Sequence, residues 1–255
     1  MSLVKFELAP LETIEPWGSP PNLALHWFGL SDGSYYFDLG ATRLLEYGMG
    51  GNWPRFVEYQ LARIHEDLLS MLPDVLEPIP AAVMLHFRDG SLVSTLRHLQ
   101  EVRESDDAAA PDFDPALEAL GSRLLDTAYV SPSAGVCIWS YDAKTVIEWD
   151  NRDRLVDGKC AWTAARGRRE LARDEFVEEV RTFHVRLMAA MAERVQQVCA
   201  NWARPDVKID FERLAAEQVE RLASFDSVLR LGRRGTTDWQ AVQVALLRAA
   251  GGGSA

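Results

Sequence analysis

Four carboxylates crowd one short stretch of the chain: Glu148, Asp150, Asp153 and Asp157. Two carboxyl groups facing one cleft are what glycoside-type hydrolysis needs, one to give a proton and one to act as base or nucleophile. Strand alternation puts Val146, Glu148 and Asp150 on one face, and Ile147 and Trp149 on the other. Like charges on one face repel unless a cation stands between them, and Arg152 and Arg154 are adjacent in sequence. A catalytic pair and local ion pairing are both open, and pairing is the more ordinary outcome. Trp149 beside these acids suggests an aromatic, acidic contact surface for a basic protein or a cationic ligand. Tryptophan also fills cores, its commoner use.

The histidines are His26, His65, His86, His98 and His184. His98 and Glu101 have the i, i+3 spacing of di-iron bundles, but those sites need a second such pair and further glutamates. His184 lies in an apolar stripe next to Phe183, and His26 lies beside Trp27, so both read first as core or boundary residues. His26, Trp27 and Asp32 form an alternative ligand-binding set. Gly48-Met49-Gly50-Gly51 lacks the lysine and the spacing of a phosphate loop, and no nucleophile elbow, HExxH or CxxC occurs. No catalytic residue, metal site or cofactor is assigned.

The elements that must position these residues follow from the pattern of apolar side chains. Leu23 to Leu30, an Asp32-Gly33 turn, Tyr35 to Leu39 and Thr42 to Tyr47 read as an antiparallel meander over about 23–47. Pro54 opens a helix over 54–72 with Val57, Leu61, Ile64, Leu68 and Met71 on one face, and Pro73 stops it. Two short helices divided at Asp89-Gly90 follow. The acidic stretch from Glu104 to Asp114 reads as an exposed loop and an internal boundary. After a helix opened by Pro115, a second meander covers about 135–165, with strands at Val136–Tyr141, Thr145–Trp149 and Lys159–Ala165 and one face wet. Long amphipathic helices follow over 174–203 and 210–230, the latter capped by Asp210. A last helix starts at a Thr237-to-Gln240 capping box. The expected class is α+β: short antiparallel meanders covered by long helices, in one unit over 1–250. The terminal Gly-Gly-Gly-Ser-Ala reads as a flexible tail outside the fold.

The 255 residues, 47 % of them hydrophobic, suffice for a real core. The net charge of −11 disfavours nucleic acid and anionic membranes as partners and favours a basic protein. It also serves plain solubility. The first residues lack the apolar run of a secretion signal, and no stretch is apolar enough to cross a membrane, so a cytoplasmic location is expected. Cys137, Cys160 and Cys199 fit neither a disulfide framework nor a zinc motif, and read as small buried residues.

Phe6-Glu7-Leu8, Pro10-Leu11, Ile14 and Pro16-Trp17-Gly18, then Leu25-His26-Trp27-Phe28-Gly29-Leu30 with Asp32-Gly33 and Tyr35, form the motifs FELxPLxxIxPWG and LHWFGLxDG. These resemble a bacterial, mainly actinomycete, family of unknown function. Leu125-Asp126, Tyr129, Ile147, Trp149-Asp150, Trp162, Phe176, Glu179-Val180 and Phe183 continue the likeness along nearly the whole chain. The family carries no activity, so the resemblance implies no site residues. Composition and the acidic, tryptophan-bearing second hairpin make a protein-interaction module the leading expectation. Its concrete form is an immunity-type inhibitor of a basic toxin, contacting it through Glu148, Trp149, Asp150, Asp153 and Asp157. A carboxylate-based hydrolase and a small-ligand sensor are the alternatives.

Overall fold

The computed structural model describes residues 2–105, 110–231 and 237–251. Along the chain the elements are β1 (Val4–Leu8), β2 (Leu23–Ala24), α1 (Trp27–Leu30), β3 (Asp32–Asp38), β4 (Arg43–Leu44), β5 (Val57–Gln60), α2 (Leu61–Leu76), α3 (Ala81–Met84), α4 (Leu92–Ser105), α5 (Asp114–Gly121), β6 (Val136–Tyr141), β7 (Lys144–Asp150), β8 (Leu155–Val156), β9 (Lys159–Cys160), β10 (Arg166–Ala172), α6 (Arg173–Asn201), β11 (Val207–Lys208), α7 (Phe211–Leu222), α8 (Ser224–Leu231) and α9 (Trp239–Gly251). The class is α+β, as the apolar periodicities require. The chain falls into two units, Met1–Ser70 with Val177–Arg230, and Met71–Phe176 with Leu231–Ala255. The acidic stretch 104–114 belongs to the second unit, and its residues 106–109 lie outside the described residues, as do 252–255 of the tail.

In the first unit β3 is central, pairing antiparallel with β1 on one side and with β4 and β5 on the other. Gly33, Tyr35 and Phe37 alternate inward. Leu23 to Leu30 is not one strand. Trp27–Leu30 is a helical turn, begun by Gly29 N–H on His26 Nδ1 (3.4 Å) and closed by Ser31 N–H on the Phe28 carbonyl (3.0 Å). That turn reverses the chain before Asp32, so Asp32-Gly33 opens β3 instead of linking two strands. Gly33 is needed for closeness: a Cβ there would sit 2.3 Å from the Glu7 carbonyl oxygen of β1.

The helix expected from Pro54 starts only at Leu61, because Val57–Gln60 pairs with β3. Its cap comes from far away in sequence. The Ser31 carbonyl accepts the Leu61 N–H (2.8 Å) and the Ser31 hydroxyl oxygen accepts the Ala62 N–H (3.0 Å). Pro73 sits inside the last turn of α2, where it removes one intrahelical donor without ending the helix. Phe176, Val180, Phe183, Leu187, Met191, Val195 and Val198 are all buried along α6, as their spacing predicts. The segment expected as one helix over 210–230 is two, α7 and α8, broken at Ala223; Asp210 does cap the first, accepting the Arg213 N–H at 2.9 Å.

In the second unit β6, β7 and β10 form an antiparallel sheet in the order β10-β7-β6. The third strand is Arg166–Ala172, beyond the expected Lys159–Ala165, since Asp157-Gly158, both at positive φ, fold 155–160 into a small hairpin of its own. Leu92, Leu96 and Leu99 of α4, Leu120 of α5 and Val242 and Leu246 of α9 bury one apolar cluster with Trp139 and Val146. Asp238 caps α9, accepting the N–H groups of Gln240 and Ala241, while Thr237 turns to Glu77 (2.6 Å). Cys137 is buried, Cys160 partly so and Cys199 exposed, which corrects the expectation of three buried thiols.

Candidate partner-binding face

The middle strand β7 is buried on both faces from Thr145 to Asp150, not wet on one. This decides the roles of the hairpin acids. Glu148 is 7 % exposed and points to the start of α4. Its carboxylate accepts from the Ser91 hydroxyl, from the Leu92 N–H (3.1 Å) and from the Trp139 indole N–H (3.4 Å). The Ser91 oxygen in turn accepts the Ser94 N–H (3.1 Å), as a helix cap does. Glu148 thus places a carboxylate at the positive end of a helix and satisfies a buried backbone donor. Opposite it on β6, burial and then the Glu148 carboxylate push the Cys137 thiol well up.

Trp149 is also buried, with Gly167 directly across from it on β10. A Cβ at Gly167 would lie 2.4 Å from the indole ring, so the ring covers the bare glycine. Asp150 is 1 % exposed and gripped by Arg152, Nε to Oδ1 at 2.9 Å and Nη2 to Oδ2 at 2.7 Å, with Arg166 Nε at 4.0 Å. The hydrogen bonds from Arg152 hold its carboxyl below the usual aspartate range. Glu148, Trp149 and Asp150 are therefore internal supports, which corrects their reading as exposed contacts. The ion pairing expected from Arg152 is what forms.

Asp153 and Asp157 are exposed. Asp157 occupies the first position of the β8–β9 turn. Asp153 meets Arg97 of α4 at 3.3 Å and Arg154 at 3.9 Å. These three residues rim a cleft of about 370 Å³ between α4 and the segments 124–128 and 133–135. Its walls are Val93, Leu96, Leu125 and Ala134, and Gln100, Asp126 and Thr127 add polar groups. Its charged lining is balanced, Arg97 and Arg154 against Asp126 and Asp153, in a chain that is acidic as a whole. The neighbouring residues 150–170 hold six cations (Arg152, Arg154, Lys159, Arg166, Arg168, Arg169) against Asp150, Asp153, Asp157 and Glu170, a net of +2, with Arg152 and Arg166 on Asp150 and Arg168 on Glu170.

The alternative set is not assembled into one site. His26 is exposed at the start of α1, edge-on to Trp17 with centroids 4.4 Å apart. Trp27 is fully buried in the first unit, giving its N–H to Gln218 Oε1 (2.7 Å) under the Arg221 guanidinium. Asp32 is half-buried; burial raises its carboxyl above the usual range against the pull of its own hydrogen bond from Gly33 and of Arg194.

A buried histidine pair in the first unit went unrecognised. His65 Nε2 and His184 Nδ1 are 2.9 Å apart, and His184 Nε2 lies 3.2 Å from the Leu222 carbonyl oxygen. With His184 donating to that carbonyl, its Nδ1 accepts from His65, and both rings are neutral. Burial, then His184 and Arg221, push the His65 pKa down to about 3. The available signal was that both histidines stand on buried helical stripes, beside Ile64 and Phe183. His98 lies 3.9 Å from Glu101 and 3.3 Å from the Ala249 carbonyl oxygen. Among the described residues no three metal-ligating side chains gather, and no helix is long and apolar enough to cross a membrane.

An α+β chain with a mixed-charge cleft and an arginine-rich sheet edge is the class that fold and face define. The model of a family of unknown function (DUF5984) matches residues 3–245, and the chain belongs to that family. No curated protein and no solved structure matches it.

Proposed function

We propose that this chain is a protein-interaction module whose contact face is the charged rim of the second-unit cleft. The observation that carries the reading is the Arg97–Asp153–Arg154 cluster, an exposed carboxylate between two half-buried arginines, set over an apolar floor. Partly exposed ion pairs cost little to rearrange, so a partner's charged groups can replace one member while apolar groups fill the cleft. The contact element that fits carries charge of both signs, since Arg97 and Arg154 line the cleft together with Asp126 and Asp153. The net charge of −11 still draws a basic partner from a distance, so an immunity-type inhibitor of a basic toxin in a bacterial cytoplasm is the concrete form of the proposal. Affinity capture from host lysate at low and high salt tests it. One protein held near equal amount and released by salt supports the reading, and a bait that captures nothing at low salt opposes it.

The cleft volume also falls in the range of small-ligand sites, which favours a sensor of a small carboxylate as second reading. A thermal-shift screen of organic acids separates it from protein binding.

A further inference from the structure

The two edges of the second-unit sheet differ. Pairing parity fixes which backbone groups point outward. Asn151 N–H bonds the Ala165 carbonyl (2.7 Å) and Arg173 N–H bonds the Ala143 carbonyl (2.9 Å). In this register Gly167, Arg169 and Leu171 direct their N–H and C=O groups at β7, and Arg166, Arg168, Glu170 and Ala172 direct theirs away from it. On the β6 edge each outward-facing residue has a backbone group engaged. Val136 accepts from Leu125 (2.9 Å), Ile138 donates to Arg123 (2.8 Å) and Ser140 accepts from Ile79 (2.7 Å). On β10 the outward groups of Arg166, Arg168 and Glu170 have no backbone partner among the described residues, and Ala172 adds its N–H, its carbonyl serving as the cap acceptor of α6. Arg166, Arg168, Arg169 and Glu170 are exposed, so this edge faces solvent.

We propose that β10 receives an extended acidic segment of the partner protein as an added antiparallel or parallel strand; the proposal rests on the interaction-module reading and names the element that docks. An open edge is a template for main-chain pairing, and side chains on alternate positions then set specificity. Arg166 and Arg168 share one face of β10 and stand across from Asp150 and Glu148. Carboxylates at alternate positions of an incoming strand would lie beside both guanidinium groups, the favourable cross-strand arrangement. Arg168 already meets Glu170, which Lys144 also holds, and Arg166 lies 4.0 Å from Asp150, so incoming carboxylates would share these guanidinium groups with the acids present. At Gly167 no side chain obstructs the approach, and Trp149 supports the strand from beneath.

The test uses the full chain and a blocked peptide of alternating Glu and Val, with its Lys/Val counterpart as control. Amide exchange is read residue by residue. The expected result is slowing of about tenfold or more at Arg166, Arg168, Glu170 and Ala172 with the acidic peptide only, while Gly167, Arg169 and Leu171 stay as protected as before. Arg168→Pro removes one outward donor and no bond to β7, and should abolish that protection. The double variant Arg166→Glu/Arg168→Glu keeps the donors and should reverse the preference to the Lys/Val peptide. Unchanged exchange at all four amides, or equal slowing by both peptides, overturns strand addition. Capture of the cellular partner that survives Arg168→Pro and is lost in Arg97→Glu/Arg154→Glu also overturns it, and leaves the module reading standing.

Discussion

Glu148 takes the hydroxyl of Ser91, the residue that caps α4, across 57 positions of sequence. The bond ties the centre of the sheet to the helix that forms one wall of the cleft. Removing the carboxylate strands the Ser91 hydroxyl and the Leu92 N–H in a buried place. Glu148→Ala should cost about 1–3 kcal/mol, and Glu148→Gln, which keeps an acceptor oxygen, distinctly less. Urea unfolding of both variants reads the difference; equal losses would show that the cap contact carries no stability.

Gly167→Ala should destabilise by a similar amount, about 1–3 kcal/mol, because the new methyl meets the Trp149 ring at 2.4 Å. Trp149→Leu in the same chain should recover part of the loss by vacating that space. A double-mutant cycle checks it: additive losses would mean that the two residues do not share the space.

Acid should weaken the fold through His65. Its folded pKa, about 3, lies below the ordinary 6.5, so the unfolded chain binds the proton first. Stability from this group is complete above 6.5 and falls as pH drops toward 3, by at most about 1.4 kcal/mol per pH unit. The His184 pKa is also lowered, chiefly by burial, and adds loss of the same sign. Arg221, Arg181 and Asp226 are the charges that act on the pair. Urea midpoints between pH 6.5 and 5.5, above most carboxylate titration, isolate the effect. His65→Gln, which retains a donor for His184, should flatten the slope; an unchanged slope would assign the acid sensitivity elsewhere.

Class and the longest elements were readable from the chain because they rest on local periodicity: the buried stripe of α6, the Asp210 cap, and the β6 and β7 strands. What misled was supplied from a distance. The start of α2 depends on Ser31, thirty-one positions before Ala62. The inward turn of Glu148 depends on α4 covering that face of β7, so a strand that alternates like a half-exposed one is buried throughout. Asp32-Gly33 was wrongly read as a turn, since α1 had already reversed the chain, while Asp157-Gly158 does turn the chain, within a small hairpin of its own. Of the five predicted contacts, Asp153 lines the cleft, and Arg97, its partner, had no sequence neighbour to announce it.

The rim is built of partly exposed pairs, so reversing it should cost the fold little. Arg97→Glu/Arg154→Glu should change unfolding free energy by no more than about 0.5 kcal/mol per site. The decisive measurement is the affinity of the captured partner for the wild-type chain and for this double variant across a salt series. Binding through the rim predicts loss of at least about tenfold in affinity at low salt, with the gap closing as salt rises. Equal affinity of the two chains at every salt concentration would contradict the assignment of this face.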